Sequence, residues 1–257
     1  MERRPEPGET VLARGHHRVS GGGKGANQAH AASRAGARTA LLGCVGRDAP
    51  PEALEGLDGV DLTGVRTLDD VPTGAAFITL TPDGENSIVV SPGANARVDA
   101  AFVEAAAEAI ERADVFCTVL ELPLDAVRRG CEIAREAGAR VVLTPAPVTP
   151  GAGALLPLVD VLILNRGEAQ ALGDTGGARA LVLTLGADGA LVADANGEER
   201  IPAEPAGPIV DTTGAGDALA GVLAARLAFG DDLRAAARAG VRAAGITVTR
   251  RGARALI

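Results

Sequence analysis

Asp211 and Asp217 bracket a run of small residues, Thr212-Thr-Gly-Ala-Gly216, and the chain continues with Leu219, Val222, Leu223, Leu227 and Phe229 at roughly helical spacing. That spacing predicts a buried helix entered through a small-residue turn, which makes residues 214–217 its N-terminus. Such a terminus offers unpaired N–H groups and the positive end of the macrodipole, and glycine lets an anion such as a phosphate approach the backbone closely. An acid at Asp217 stays ionised beside those amides and, within reach of a bound phosphate, can take the proton of an attacking hydroxyl. Asp is equally common as the cap of an apolar helix, and the spacing alone leaves both readings open.

A second glycine-rich stretch, Ser20-Gly-Gly-Gly-Lys-Gly-Ala-Asn27, precedes a helix expected over about 26–35. Its glycines permit close backbone approach to a ligand, with Lys24 and Asn27 as donors, or else form a flexible loop before the helix. Gly25 stands where a Walker-type phosphate loop needs Ser or Thr, and the dinucleotide fingerprint is absent as well.

These groups need a frame. Apolar stretches at 38–45, 115–120, 140–144, 159–164 and 180–185 read as strands, and 99–113 and 124–137 as helices. Alternation of this kind builds an α/β fold around a parallel sheet. Polar residues follow the strand ends: Glu121 after the second, Asn165 and Glu168 after the fourth, Thr184 with Gly186 closing the fifth. Ligands collect at that edge in open α/β sheets, although each position taken singly is also an ordinary loop end or helix start. Segments 75–81 and 86–90 flank Pro82-Asp-Gly-Glu85, a hairpin signal, and 10–19 reads as an exposed strand. Hairpin strands outside the alternation imply a small antiparallel appendage.

Hydrophobic residues make up 47% of the 257, enough for a full core. A net charge of -8 and a pI near 5.0 argue against a nucleic-acid surface, and aromatics at 2% leave almost no stacking platform. Partners are therefore expected to be small molecules held by polar groups. Cys44, Cys117 and Cys131 lie apart in apolar stretches, which suits reduced thiols and a cytoplasmic location, and no apolar run is long enough to enter a membrane. His16, His17 and His30 lack metal-ligand spacing and read as surface or packing residues.

The stretches Gly21-Gly-Gly-Lys-Gly-Ala-Asn-Gln28 and Asp211-Thr-Thr-Gly-Ala-Gly-Asp217 together resemble the two signature motifs of the ribokinase, or PfkB, family of carbohydrate kinases. Further matches run in order along the chain: Gly8-Glu-Thr10, Ser91-Pro-Gly-Ala-Asn95, Leu120-Glu121, Thr144-Pro-Ala-Pro147, Asn165-Arg-Gly-Glu168, Thr184-Leu-Gly186 and Val248-Thr-Arg-Arg-Gly252. The Gly-Gly-Lys-Gly-Ala-Asn form is similar to the ribokinase branch rather than the fructokinase or adenosine kinase branches. The resemblance implies one ribokinase-like domain over 1–257, a three-layer sandwich with a mostly parallel central sheet and a β lid from about 10–20 and 73–91. It implies phosphorylation of a sugar by ATP, D-ribose to D-ribose 5-phosphate. Another sugar or nucleoside kinase, or a non-catalytic nucleotide- or sugar-binding relative, is the alternative.

On the residues, the resemblance makes Asp217 the base that takes the proton of the primary hydroxyl, and the amides of Gly214, Ala215, Gly216 and Asp217 the anion hole. Gly23, Lys24, Asn27 and Glu121 match sugar-binding positions. Asn165, Thr184, Gly186 and Gly216 match the nucleotide site, and Glu168 matches a residue that orders Mg2+ through water. Asp211 and the carbonyls of Thr213 and Gly252 match ligands of a monovalent cation, K+. The lid strands match a dimer contact. Where the pattern is not matched, the resemblance leads one to expect a missing first strand with its sugar-binding aspartate, a gap in the sheet, only a short glycine-rich link between Leu172 and Ala178, and no closing C-terminal helix. Val241 stands where relatives often have a polar residue near adenine.

Overall fold

The computed structural model describes residues 6, 8–12, 16–80 and 86–255. In chain order these form α1 (Lys24–Arg34), β1 (Thr39–Ala40), β2 (Gly43–Gly46), β3 (Val60–Asp61), β4 (Val65–Leu68), β5 (Ala75–Leu80) and β6 (Asn86–Ser91). There follow α2 (Ala100–Ala105), α3 (Ala107–Glu111), β7 (Val115–Val119), α4 (Leu124–Glu136), β8 (Arg140–Thr144), β9 (Val161–Asn165) and α5 (Arg166–Leu172). The last elements are β10 (Ala180–Thr184), β11 (Ala190–Asp194), β12 (Gly197–Ile201), α6 (Ala215–Ala228) and α7 (Leu233–Thr247).

Strands rich in Val, Leu and Ile on both faces must be covered on both faces. The parallel ladder β7-β8-β9-β10 meets this demand, and β11 and β12 extend it antiparallel. Alternate residues divide between two cores. Val141, Leu143, Leu162 and Leu164 pack with Phe102, Val127, Cys131 and Ile133 from the α2 and α4 side. Val142, Val161, Ile163 and Val182 pack with Leu219, Leu223, Ala237 and Val241 from α6 and α7. The result is the expected three-layer sandwich around a mostly parallel sheet. Because Val241 belongs to this second core, it is a packing residue here.

α6 is buried nearly all round, as its apolar composition demands. It lies between α1 and α7, and the contact with α1 is close: a Cβ on Gly221 would overlap the Gln28 carbonyl. This crossing sets the first turn of α1 against the first turn of α6.

Several expectations are corrected. The described residues of 10–19 form no strand; Leu12 and Val19 are exposed, and with no partner strand the backbone has no ladder to join. Residues 13–15 of that segment, and the Pro82–Glu85 turn, lie outside the described residues. The strand expected over 38–45 is two short strands, because β1 pairs with β3 and β2 with β4, and the chain steps between these partners at Leu41 and Leu42. Among the described residues no ladder joins β2 to β7, although Cys44 reaches the same core as Leu120. The helix expected over 99–113 breaks at Ala106 into α2 and α3. The β5–β6 hairpin forms in register, with Phe77, Ile78, Ile88, Val89 and Val90 exposed. No helix among the described residues is long and apolar enough to cross a membrane.

Candidate active site

Gly214 hands the chain into α6 with a φ of 77°, and a Cβ there would overlap the backbone of Ala253, so the turn calls for glycine. No side chain caps this helix. The N–H groups of Gly216 and Asp217 consequently have no intrahelical acceptor, and a helix start of this kind can receive an anion. Asp217 is not the cap: it lies inside the first turn, and its carboxylate accepts from Asn27 Nδ2 at 2.9 Å and from Gln28 Nε2 at 3.3 Å. Burial pushes its pKa up, opposed by the Asn27 bond, the charge of Lys24 and the Gln28 bond. The expectation that nearby amides simply keep Asp217 ionised is thus revised, since loss of water is the largest influence on it.

Its partners come from α1. Gly23, at φ 80°, opens the helix, Lys24 begins it, and Asn27 and Gln28 occupy the face turned to α6. Glu121, just past β7, accepts the Lys24 N–H at 3.0 Å. Burial also raises the Glu121 pKa, against the Lys24 hydrogen bond and charge, with the charge of Asp217 adding to the rise.

On the other side, β9 and β10 end together, with Thr184 opposite Asn165. Asn165 and Glu168 form a reciprocal capping box on α5: Asn165 Oδ1 accepts the Glu168 N–H at 2.9 Å, and Glu168 Oε2 accepts the Asn165 N–H at 2.8 Å. The box engages one oxygen of each side chain. Lys24, Thr144, Asn165, Glu168, Thr184, Gly214, Gly216 and Asp217 line one open cleft of about 210 Å3. Gly186 starts a 3-10 turn beyond β10 and is not among the lining residues. A groove of about 300 Å3 beside Ser33, Arg34 and Asp58 gathers no comparable set of groups.

Behind the α6 turn, Asp211 accepts the Thr213 N–H at 2.9 Å and the Gly252 N–H at 3.0 Å. Burial raises the Asp211 pKa, but the bonds from Gly252 and Thr213 and the charge of Arg251 outweigh it, and the net shift is downward. The three residues matched to a cation loop are therefore neighbours. No cluster of three His, Cys, Asp or Glu side chains that could hold a metal occurs among the described residues.

The sequence reading missed Gln28 as a partner of Asp217, Thr144 as the group that accepts a second bond from Gln28 at 3.3 Å, and Arg254, which reaches Asn27. Gln28 and Thr144 lay within recognised motifs, whereas only folding reveals where Arg254 points. His30 is a packing residue, its Nδ1 2.6 Å from the Gly56 carbonyl, and His16 and His17 are exposed.

A family model described as pfkB family carbohydrate kinase matches residues 2–257. The chain is 35% identical to the ribokinase of Schizosaccharomyces pombe, with 97% of this chain and 87% of that protein covered. It is 37% identical to the ribokinase of Bacillus subtilis, covering 98% of this chain and 89% of that protein. The structure of Arabidopsis thaliana ribokinase complexed with ribose and ATP superimposes with a TM-score of 0.88 at 29% identity, covering 98% of this chain and 89% of that one.

Proposed function

We propose, because this chain belongs to the pfkB family of carbohydrate kinases, that it transfers the terminal phosphoryl group of ATP to the primary hydroxyl of D-ribose, giving D-ribose 5-phosphate. The observation that carries the reading is the buried Asp217 carboxylate, held by Asn27 and Gln28 at the uncapped start of α6. The relatives named ribokinase, and the one solved with ribose and ATP, support this substrate pair.

In this reading Asp217 accepts the hydroxyl proton while the amides of residues 214–217 stabilise charge on the transferring group. Phosphoryl transfer depends chiefly on such placement and charge. Gly23, Lys24 and Glu121 hold sugar hydroxyls, and Asn27 orients the carboxylate as well as facing the sugar. Thr184, Gly186 and Asn165 serve the nucleotide. The donors on that side include a single carboxylate, Glu168, which fits Mg2+ held through its own waters; when bound, the ion neutralises phosphate charge. Asp211 with the Thr213 and Gly252 carbonyls presents hard oxygens with one negative charge, a set that fits K+ better than a divalent ion. The exposed apolar β5–β6 hairpin serves as lid and as contact for a second copy. Three free cysteines accord with a cytoplasmic enzyme.

A panel of pentoses, deoxypentoses and nucleosides with ATP and Mg2+ tests the substrate. D-Ribose should show the highest kcat/KM, and K+ should stimulate more than Na+ at fixed ionic strength. A nucleoside or deoxypentose preferred over ribose rejects the ribose assignment, and equal rates in the two salts reject the cation loop.

The pH profile gives a separate check. A buried acid with a raised pKa acts as a base only above that pKa, so kcat/KM should fall on the acidic side at a pH above the ordinary Asp value of about 3.9. Activity that stays level down to about pH 4 would show that ionised Asp217 is not required.

A further inference from the structure

Arg254 is 227 residues from Asn27 in sequence, yet its Nε donates to Asn27 Oδ1 at 3.2 Å. Its Nη2 donates to the Gly22 carbonyl at 2.7 Å, and its Nη1 to the carbonyls of Ala53 and Glu55 at 3.1 and 2.6 Å. One guanidinium thus joins the glycine loop ahead of α1, the turn around 53–55, and the amide that holds Asp217. The rigid fork of five N–H donors suits this task, and an ammonium has neither the number nor the geometry.

The bond to Asn27 has a directional effect. With Oδ1 facing the guanidinium, Nδ2 must face Asp217, where it donates at 2.9 Å. An amide whose oxygen accepts from a cation is also a stronger donor through its nitrogen. The backbone that carries Arg254 is itself fixed: the Gly252 N–H bonds Asp211, and Ala253 packs against Gly214. The loop that supports the α6 turn from behind therefore also grips the loop that leads into α1.

We propose that Arg254 is a positioning residue for the transfer reaction: it locks Asn27 in the orientation that donates to Asp217 and holds the Gly22 loop against 53–55, so that the base and the sugar subsite are set by one side chain. This rests on the sugar-kinase reading of the cleft. Arg254 acts through Asn27, while Lys24 and Glu121 are the charged groups that face Asp217 directly.

The test uses the full chain with R254A, R254Q and R254K. For R254A and R254Q the sugar KM should rise at least about tenfold, since bonds from a charged donor are lost, while the KM for ATP stays within about twofold by the same reasoning. The acidic limb of the pH profile should move to higher pH, because a less polarised Asn27 stabilises the Asp217 carboxylate less. R254K should restore the limb in part but not the sugar KM. Equal rises in both KM values, or an unmoved limb in a folded variant, overturn the proposal. Hydrogen exchange gives a readout independent of turnover: residues 20–28 and 51–56 should exchange faster in R254A, with 218–228 unchanged. Unchanged exchange at 20–28 overturns the clamp. If the wild-type chain phosphorylates no sugar yet the loop loses protection in R254A, the kinase reading fails and the clamp stands.

Discussion

Asp217→Asn is expected to lower kcat by about 10²- to 10⁴-fold with little change in nucleotide affinity, the usual size of losing a general base. The change removes the proton acceptor and leaves the backbone of α6 in place, so the amides that face the phosphates persist. It also disturbs the site locally. Asn27 and Gln28 both donate to the carboxylate, and an amide at 217 can accept on one side only. Asn27 is held by Arg254, so the side chain that turns is Gln28, whose other partner is the rotatable Thr144 hydroxyl. The rearrangement is small, and the loss should appear in kcat rather than in the KM for ATP. Steady-state kinetics on a folded variant decide the point, and retention of most of kcat would reduce Asp217 to a structural acid.

Gly214→Ala should be nearly as damaging by a different route. The residue sits at φ 77°, and a methyl group would collide with the backbone of Ala253. The left-handed conformation and the overlap together cost about 2 to 5 kcal/mol if the turn stays where it is. Relief requires the 252–254 loop or the start of α6 to move, which displaces the Gly216 and Asp217 amides from the phosphate and loosens Asp211 at once. Removal of preorganised donors typically costs about 10²- to 10³-fold in kcat. Thermal denaturation and kinetics on the variant should show both losses together, whereas a variant with unchanged Tm and kcat would show that the close approach to Ala253 is not maintained in solution.

The legibility of this chain followed the range of the interactions involved. The parallel strands could be read because a strand buried on both faces carries consecutive apolar residues, as β8 does over 141–143 and β9 over 161–164. The capping box could be suspected from Asn165 and Glu168 because caps are local. The antiparallel pair β11–β12 is also marked locally, by Asn196-Gly197 where the chain turns into β12, a hairpin signal. By contrast, the absence of a strand among the described residues of 10–19 and the division of 38–45 depend on which partners fold beside them, and local alternation carries no such information. At the site, the residue types and their motifs were legible. The roles of Gln28 and Arg254 were not, because each depends on a contact formed across most of the chain.

We propose that the α6 turn, with Asp217 as base, directs a phosphoryl group onto the primary hydroxyl of ribose. Phosphorus NMR of the products formed by the intact protein from D-ribose, ATP and Mg2+, run beside Asp217→Asn, tests it most directly. The wild type should give stoichiometric ADP and ribose 5-phosphate, and the variant almost none. Release of inorganic phosphate without a sugar phosphate, or equal ribose 5-phosphate from both proteins, would contradict it.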